Sequence, residues 1–220
     1  MNLTIYGVLR SRASRTVWLA HELGIPFRHV PVIQGYRLPD PHAPDAPLNT
    51  SSAEFLAINP NGLVPAVEID GLVMHESLAI NLHVAKRHGG PLAPADLNED
   101  GLMTMWSLWA AAECEPDTLS ILTKGAGRAD RPADPARAEA ARASLMTRLP
   151  ALEAALRDGG GHPVGRRFTA ADINLAEVLR YAQGAPELFR AHPEIARWIG
   201  ACQARPAFRA MMAEREREPA

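Results

Sequence analysis

The chain is poor in cysteine, with only Cys114 and Cys202 in 220 residues. They lie far apart in helical patterns. That spacing excludes a disulfide framework, a C-x-x-C redox motif and a cysteine-based zinc site. Aromatic residues make up 5% of the chain, and the formal net charge is −2. The stacking platforms and basic footprint of a nucleic-acid-binding protein are therefore missing. No apolar run approaches the roughly 20 residues that a membrane-spanning helix needs. No signal-peptide pattern precedes the first strand, so a reducing cytoplasm is the expected compartment. The eight histidines show no ligand spacing, and no metal is implied.

What remains is the composition of an ordinary soluble globular protein, 47% hydrophobic and 22% charged. The length suits one large or two modest domains with real cores. Leu3–Tyr6 reads as a strand and Ser14–Leu23 as a helix, with Gly24 where a left-handed cap belongs. Phe27–Ile33 reads as a second strand, and Pro31 marks it as an edge or a bulge. Residues 34–53 carry Pro39, Pro41, Pro44 and Pro47 and read as an irregular surface excursion. It is either a plain insertion or a flap over a site.

The most telling stretch runs from Asn59 to Leu82. Ala66, Val67 and Ile69 form an apolar strand after Val64-Pro65. Asp70-Gly71 is a strong hairpin signal before Leu72–Met74. Glu76-Ser77 then opens a helix over 77–87. A helix N-terminus offers unpaired amides and a field that favours an anion. Pro65 removes a ladder donor, and a cis bond there would turn the Val64 backbone toward a ligand.

Gly89-Gly90-Pro91 ends that helix, and 89–98 reads as a linker. Helical patterns dominate from Glu99. Leu102, Met105, Trp106 and Trp109 follow helical spacing, and Pro116 should kink or shift that helix. Leu145, Leu149, Leu152 and Leu156 mark another helix. Phe168–Ile173 reads as a capping box, with Thr169 as cap, Asp172 answering it, and Phe168 packing on Ile173. Ile195, Trp198, Ile199 and Cys202 form a last stripe, and the charged tail from Glu214 should fray.

On these residues the chain resembles the glutathione transferase superfamily, and within it the bacterial serine-type, theta- and delta-like members. The resemblance covers nearly the whole length. It implies an α/β plus all-α architecture: a thioredoxin-like glutathione-binding domain at 1–88, the linker 89–98, and an all-helical C-terminal domain at 99–220. It implies glutathione as co-substrate, a small electrophilic and mostly hydrophobic partner, and a homodimer.

Such an enzyme must lower the thiol pKa of its bound tripeptide, from about 8.5 for a free cysteine. A hydroxyl between the first strand and first helix could do this. Ser11, four residues before Arg15, has the spacing of the serine-type enzymes and is the expected group. Ser14 reads as a first-turn residue and Tyr6 as packing at the strand end, and both stay open as alternatives. Glu76 and Ser77 resemble the pair that holds the γ-glutamyl ammonium and α-carboxylate. Val64, set by Pro65, would meet the cysteinyl backbone by β-augmentation.

Gly62 and Leu63 depart from the family, which often places a polar or basic residue there for the glycyl carboxylate. Arg37 or His42 in the long loop could supply that contact. Leu9, Met105, Trp106 and Trp109 are candidates for the second-substrate pocket, with core or interface packing as the alternative for both tryptophans. Arg10 and Arg12 flank Ser11, and His75 reads as structural. Two rival readings keep the fold. One is another glutathione-dependent reaction: a peroxidase, isomerase, dehalogenase or disulfide reductase. The other is a non-catalytic binding or scaffold protein.

Overall fold

The structure is a computed structural model and describes residues 1–124 and 132–218. In chain order the elements begin with β1 (Leu3–Tyr6), α1 (Ala13–Leu23), β2 (Phe27–Val30) and α2 (Ala53–Leu56). They continue with β3 (Ala66–Ile69), β4 (Leu72–His75), α3 (Ser77–His88), α4 (Leu97–Trp109) and α5 (Glu115–Lys124). The rest are α6 (Pro135–Asp158), α7 (Ala170–Leu179), α8 (Pro186–Ala191), α9 (Pro193–Ala204) and α10 (Pro206–Arg217). Contacts divide the chain into one unit of Met1–His88 with Arg205–Ala220, and a second of Gly89–Ala204.

The first unit is built on a four-stranded sheet of order β2-β1-β3-β4. β1 pairs in parallel with β2 and antiparallel with β3, and β3 pairs antiparallel with β4. This is the thioredoxin-like layer. Leu3, Ile5, Val67 and Ile69 are buried on it, as short apolar strands require. β2 stops at Val30 rather than Ile33, because Pro31 has no N–H for the ladder. Ile33 pairs again with Asn49 as an isolated parallel bridge. Asp70 and Gly71 turn β3 into β4 with φ of 48° and 87°, the two positive values that a two-residue hairpin turn needs.

Residues 34–53 fold around one side chain. Asn49 is fully buried and donates through Nδ2 to the carbonyls of Pro41 and Pro47, at 3.0 and 2.9 Å. Its Oδ1 accepts from the Ser51 N–H at 2.8 Å. The prolines thus sit in a segment whose backbone polar groups are answered locally.

Sequence patterning groups 205–220 with the helical part, but the contacts of 205–218 place that segment on α1 and the loop before it. The Phe208 ring stands edge-on to Trp18 at 5.0 Å. Arg205 grips Glu22 with two bonds of 2.6 and 2.8 Å. The tail does not fray at Glu214: α10 continues to Arg217, and Glu218 is hydrogen-bonded beyond it. Residues 219–220 lie outside the described residues.

Among the described residues the second unit is built of helices and their connections. α4 leads through a π-helical turn, Ala110–Cys114, into α5. The wider turn falls just before Pro116, which cannot donate to the preceding turn. α7 is buried along its whole length. Its capping box forms as the pattern predicts, with the Thr169 N–H donating to Asp172 Oδ2 at 2.8 Å. The Phe168 ring stands edge-on to His162 at 6.3 Å.

Candidate functional site

The first unit brings three segments together: the loop from β1 to α1, the turn before β3, and the start of α3. Gly7 is the hinge of the arrangement. It has φ 132°, and a Cβ built on it would lie 3.0 Å from the Val64 Cβ and 3.1 Å from the Ala13 Cβ. Only glycine lets these segments approach so closely. Its N–H donates to the Val30 carbonyl at 2.9 Å, and its own carbonyl lies 2.7 Å from His29 Nε2.

Ser11 is half-buried in that loop. Its Oγ donates to the Val8 carbonyl at 2.6 Å and accepts from the Ala13 N–H at 3.1 Å. The hydroxyl thereby ties the loop to the first turn of α1. Ser14 is fully buried, and its Oγ donates to the Ser11 carbonyl at 3.1 Å. Tyr6 packs in a cluster with Val32, Phe55 and Ala66.

The Val64-Pro65 bond is cis. Among the described residues neither the N–H nor the C=O of Val64 has a hydrogen-bond partner. The turn before it is set by Asn59, which is buried and donates through Nδ2 to the Leu63 carbonyl at 2.8 Å. Gly62, at φ 61°, passes so near the Thr50 carbonyl that a Cβ there would lie 3.0 Å from it.

Glu76 stands at φ 71°, a left-handed conformation that costs a non-glycine residue about 1 kcal/mol or more. Its carboxylate is exposed, with no partner among the described residues. Ser77, the next residue, is buried and accepts through Oγ from Arg15 Nη1 at 3.0 Å. One residue further along α1, Thr16 Oγ1 donates to Asn81 Oδ1 at 3.0 Å. Asn81 Nδ2 donates in turn to the Arg15 carbonyl at 3.3 Å. These bonds fix the start of α3 against α1.

Arg15, Asn59 and Asn81 carry the site's geometry, and of the three only Arg15 is marked in the sequence, by its spacing from Ser11. Asn59 could have been found from its place before Gly62 and the proline. Nothing local distinguishes Asn81. Leu63 is exposed and offers no polar group. Arg37 is exposed, with Nη1 3.4 Å from Gln34 Oε1, and His42 is also exposed. Arg10 and Arg12 are half-buried, and His75 is exposed. Leu9 is buried in the first unit. In the second unit Trp106 is buried, Met105 is 48% exposed, and the Trp106 and Trp109 rings meet edge-on at 5.2 Å. Among the described residues no group of three or more His, Cys, Asp or Glu could hold a metal ion. No described helix is long and apolar enough to cross a membrane.

Comparison with known proteins reads this arrangement. The model of the glutathione S-transferase N-terminal domain matches residues 11–87, and that of the C-terminal domain matches 135–201. The chain belongs to the glutathione S-transferase superfamily and is classed with its enzymes. A glutathione S-transferase of Silene vulgaris is 25% identical over 97% of this chain and 98% of its own. Glutathione S-transferase 3 of Zea mays is 28% identical over 96% and 93%. Among solved structures, the theta class glutathione S-transferase of Xanthomonas axonopodis pv. citri, with glutathione bound, superposes with a TM-score of 0.79. It is 25% identical and covers 94% of this chain and 95% of that one. These matches support the superfamily without fixing the theta or delta subtype.

Proposed function

We propose that the protein is a serine-type glutathione S-transferase that joins the glutathione thiolate to an electrophilic, mostly hydrophobic small molecule. One observation carries the reading most. Glu76 is held at φ 71° with its carboxylate exposed and unpartnered, directly before the buried Ser77. A strained acid that satisfies nothing in the fold is placed for something outside it.

In this reading Glu76 meets the γ-glutamyl ammonium. Ser77 Oγ already accepts from Arg15, so its own O–H is left to donate to the α-carboxylate. The unpaired N–H and C=O of Val64 meet the cysteinyl backbone. Ser11 turns its O–H from the Val8 carbonyl to the ligand sulfur and stabilises the thiolate, which attacks the electrophilic carbon and displaces its leaving group. Arg37 or His42 supplies the glycyl contact that Leu63 cannot. Met105, Trp106 and Trp109 on α4 are the proposed lining for the second substrate.

Neither cysteine belongs to the first unit, and both are buried. Burial holds the Cys114 thiol up at about 12, far from a reactive thiolate. The chemistry therefore rests on the ligand's own sulfur, which disfavours a protein mixed disulfide but leaves a peroxidase or reductase using glutathione alone as the second reading. Leu102 and Leu108 on α4 are both more than two-fifths exposed. They support a homodimer, which light scattering on the purified protein tests.

The deciding experiment is the ultraviolet thiolate absorbance of bound glutathione, titrated across pH for wild type and Ser11→Ala. A lowered thiol pKa in wild type that reverts in the variant is the expected result. An unchanged titration in the variant moves the role to Ser14 or Tyr6. No binding at millimolar glutathione removes the enzymatic reading and leaves the scaffold.

A further inference from the structure

The loop that carries Ser11 is held from both ends of the chain. From nearby, the Val8 N–H donates to the Val32 carbonyl at 3.2 Å, and the Ser11 N–H donates to the Val8 carbonyl at 3.1 Å. From more than 200 positions away, Glu218 closes on the residues between. Its Oε1 accepts from the Leu9 N–H at 2.8 Å, and its Oε2 accepts from the Arg10 N–H at 3.2 Å. Arg215 Nε donates to the Leu9 carbonyl at 3.2 Å. The peptide unit joining Leu9 to Arg10 is thus gripped at its C=O by a guanidinium and at its N–H by a carboxylate. That peptide immediately precedes Ser11.

The grip is anchored. α10 is fastened to α1 through Trp18–Phe208 and the paired Arg205–Glu22 bonds. Glu218 follows α10 directly. The path runs from α1 to α10, to Glu218, and back to the loop that enters α1, so the loop cannot shift without breaking charge-assisted bonds.

We propose that Glu218 is a positioning residue for Ser11. It fixes the Leu9–Arg10 peptide so that the hydroxyl meets the thiolate at the distance and angle the reaction needs. The proposal rests on the function proposed above. It follows from the geometry that losing the carboxylate slows the chemical step and spares glutathione binding, because Glu218 bonds Leu9 and Arg10 and touches none of Val64, Glu76 and Ser77.

The test compares wild type with Glu218→Ala, Glu218→Gln and Glu218→Asp, using glutathione and 1-chloro-2,4-dinitrobenzene as substrates. Ångström-scale misplacement of a reacting group can cost up to about 100-fold, and a loop loosened on one side should lose about 10-fold in kcat. The KM for glutathione should stay within about two-fold. Glu218→Gln keeps one acceptor oxygen and should fall between, and Glu218→Asp should recover part of the rate. Amide hydrogen exchange read in the same variants should quicken at Leu9 and Arg10 and stay unchanged in β1.

A wild-type kcat in Glu218→Ala overturns the proposal. So does a loss confined to KM or to thermal stability. A raised kcat also overturns it and makes the contact a brake. If wild type turns over no glutathione, the reading that gives Ser11 its task has failed. Exchange at Leu9 and Arg10 then still decides the clamp, and equal exchange in wild type and Glu218→Ala removes it.

Discussion

Two acids stand at the starts of two helices, and their surroundings differ. Asp172, in the first turn of α7, is fully buried and saturated. Its Oδ2 accepts from the Thr169 N–H and Oγ1, at 2.8 and 3.1 Å. Its Oδ1 accepts from Trp198 Nε1 at 2.9 Å and lies 2.8 Å from His162 Nδ1. Glu76, directly before α3, is exposed, strained and without a partner among the described residues. A carboxylate at a helix start is favoured in either place by the helix field. The neighbours decide the use. Where every lone pair is answered inside the protein, the acid holds the fold. Where the backbone is strained to present an unanswered carboxylate, the acid is available to a ligand.

The contrast is broken most forcefully at Asp172. Asp172→Ala leaves the Trp198 indole N–H and the Thr169 backbone N–H buried without an acceptor. Stripping one member from a buried polar cluster costs about 3–5 kcal/mol. Urea unfolding should show a loss of that size, with the variant unfolded or nearly so at 37 °C. A loss below about 1 kcal/mol means that the cluster is not what secures α7.

Gly7 comes next. Gly7→Ala forces a side chain into φ 132° and sets a Cβ against those of Val64 and Ala13. The strain alone is worth about 1–3 kcal/mol. Because the new methyl group separates the Val64 turn from the start of α1, glutathione binding should weaken along with stability. Calorimetric titration with unchanged affinity in a destabilised Gly7→Ala would show that the approach of these segments matters to folding alone.

At Glu76 binding should fall with no loss of stability. Glu76→Gln keeps the shape and removes the charge. A charge-assisted hydrogen bond contributes about 1.5–3 kcal/mol, so the Kd for glutathione should rise about 10- to 100-fold while the melting temperature holds. Glu76→Gly should relieve the left-handed backbone, raise stability by about 0.5–1 kcal/mol, and still lose the ligand. Equal loss of stability in both variants would place Glu76 in the same class as Asp172.

How much of this was legible in sequence follows from separation along the chain. Thr169 and Asp172 are three residues apart, and the capping box is a local pattern with one meaning. Glu76, Ser77 and Val64-Pro65 are legible by their order around the Asp70-Gly71 hairpin. What escaped is long-range. The Arg15–Ser77 bond joins residues 62 positions apart, and the Leu9–Glu218 bond joins residues 209 apart. The charged run Glu-Arg-Glu-Arg-Glu at 214–218 suggests no local partner and reads as solvated, so nothing in its pattern announces that one carboxylate is spoken for. The fold of 34–53 escaped for a related reason. Four prolines suggest an irregular excursion, but the buried Asn49 that organises them has the composition of a turn residue.

The smallest expected effect sharpens the comparison with an acid of intermediate kind. Glu99 is partly exposed and paired rather than saturated. Arg167 grips it through Nη1 and Nη2 at 2.8 and 2.6 Å, and the same guanidinium donates to the carbonyls of Pro91 and Ala93. The Glu99 carboxylate also accepts from the Ala95 N–H at 2.7 Å. The hydrogen bonds from Arg167 first, and from Ala95 second, lower its pKa from 4.5 to about 2. A carboxylate whose pKa falls on folding binds fewer protons folded than unfolded. Its stabilisation is therefore complete above about pH 4.5 and is lost as the pH drops toward 2. Partial exposure and solvent screening reduce the contribution to about 1 kcal/mol. Glu99→Gln should remove that acid-dependent part, so that the stability difference from wild type, read by urea unfolding, shrinks from about 1 kcal/mol at pH 7 toward zero near pH 2. A difference that stays constant from pH 7 to pH 2 would mean that Arg167 holds residues 91–95 through the carbonyls alone. Glu99 would then be no more tied to the fold than Glu76.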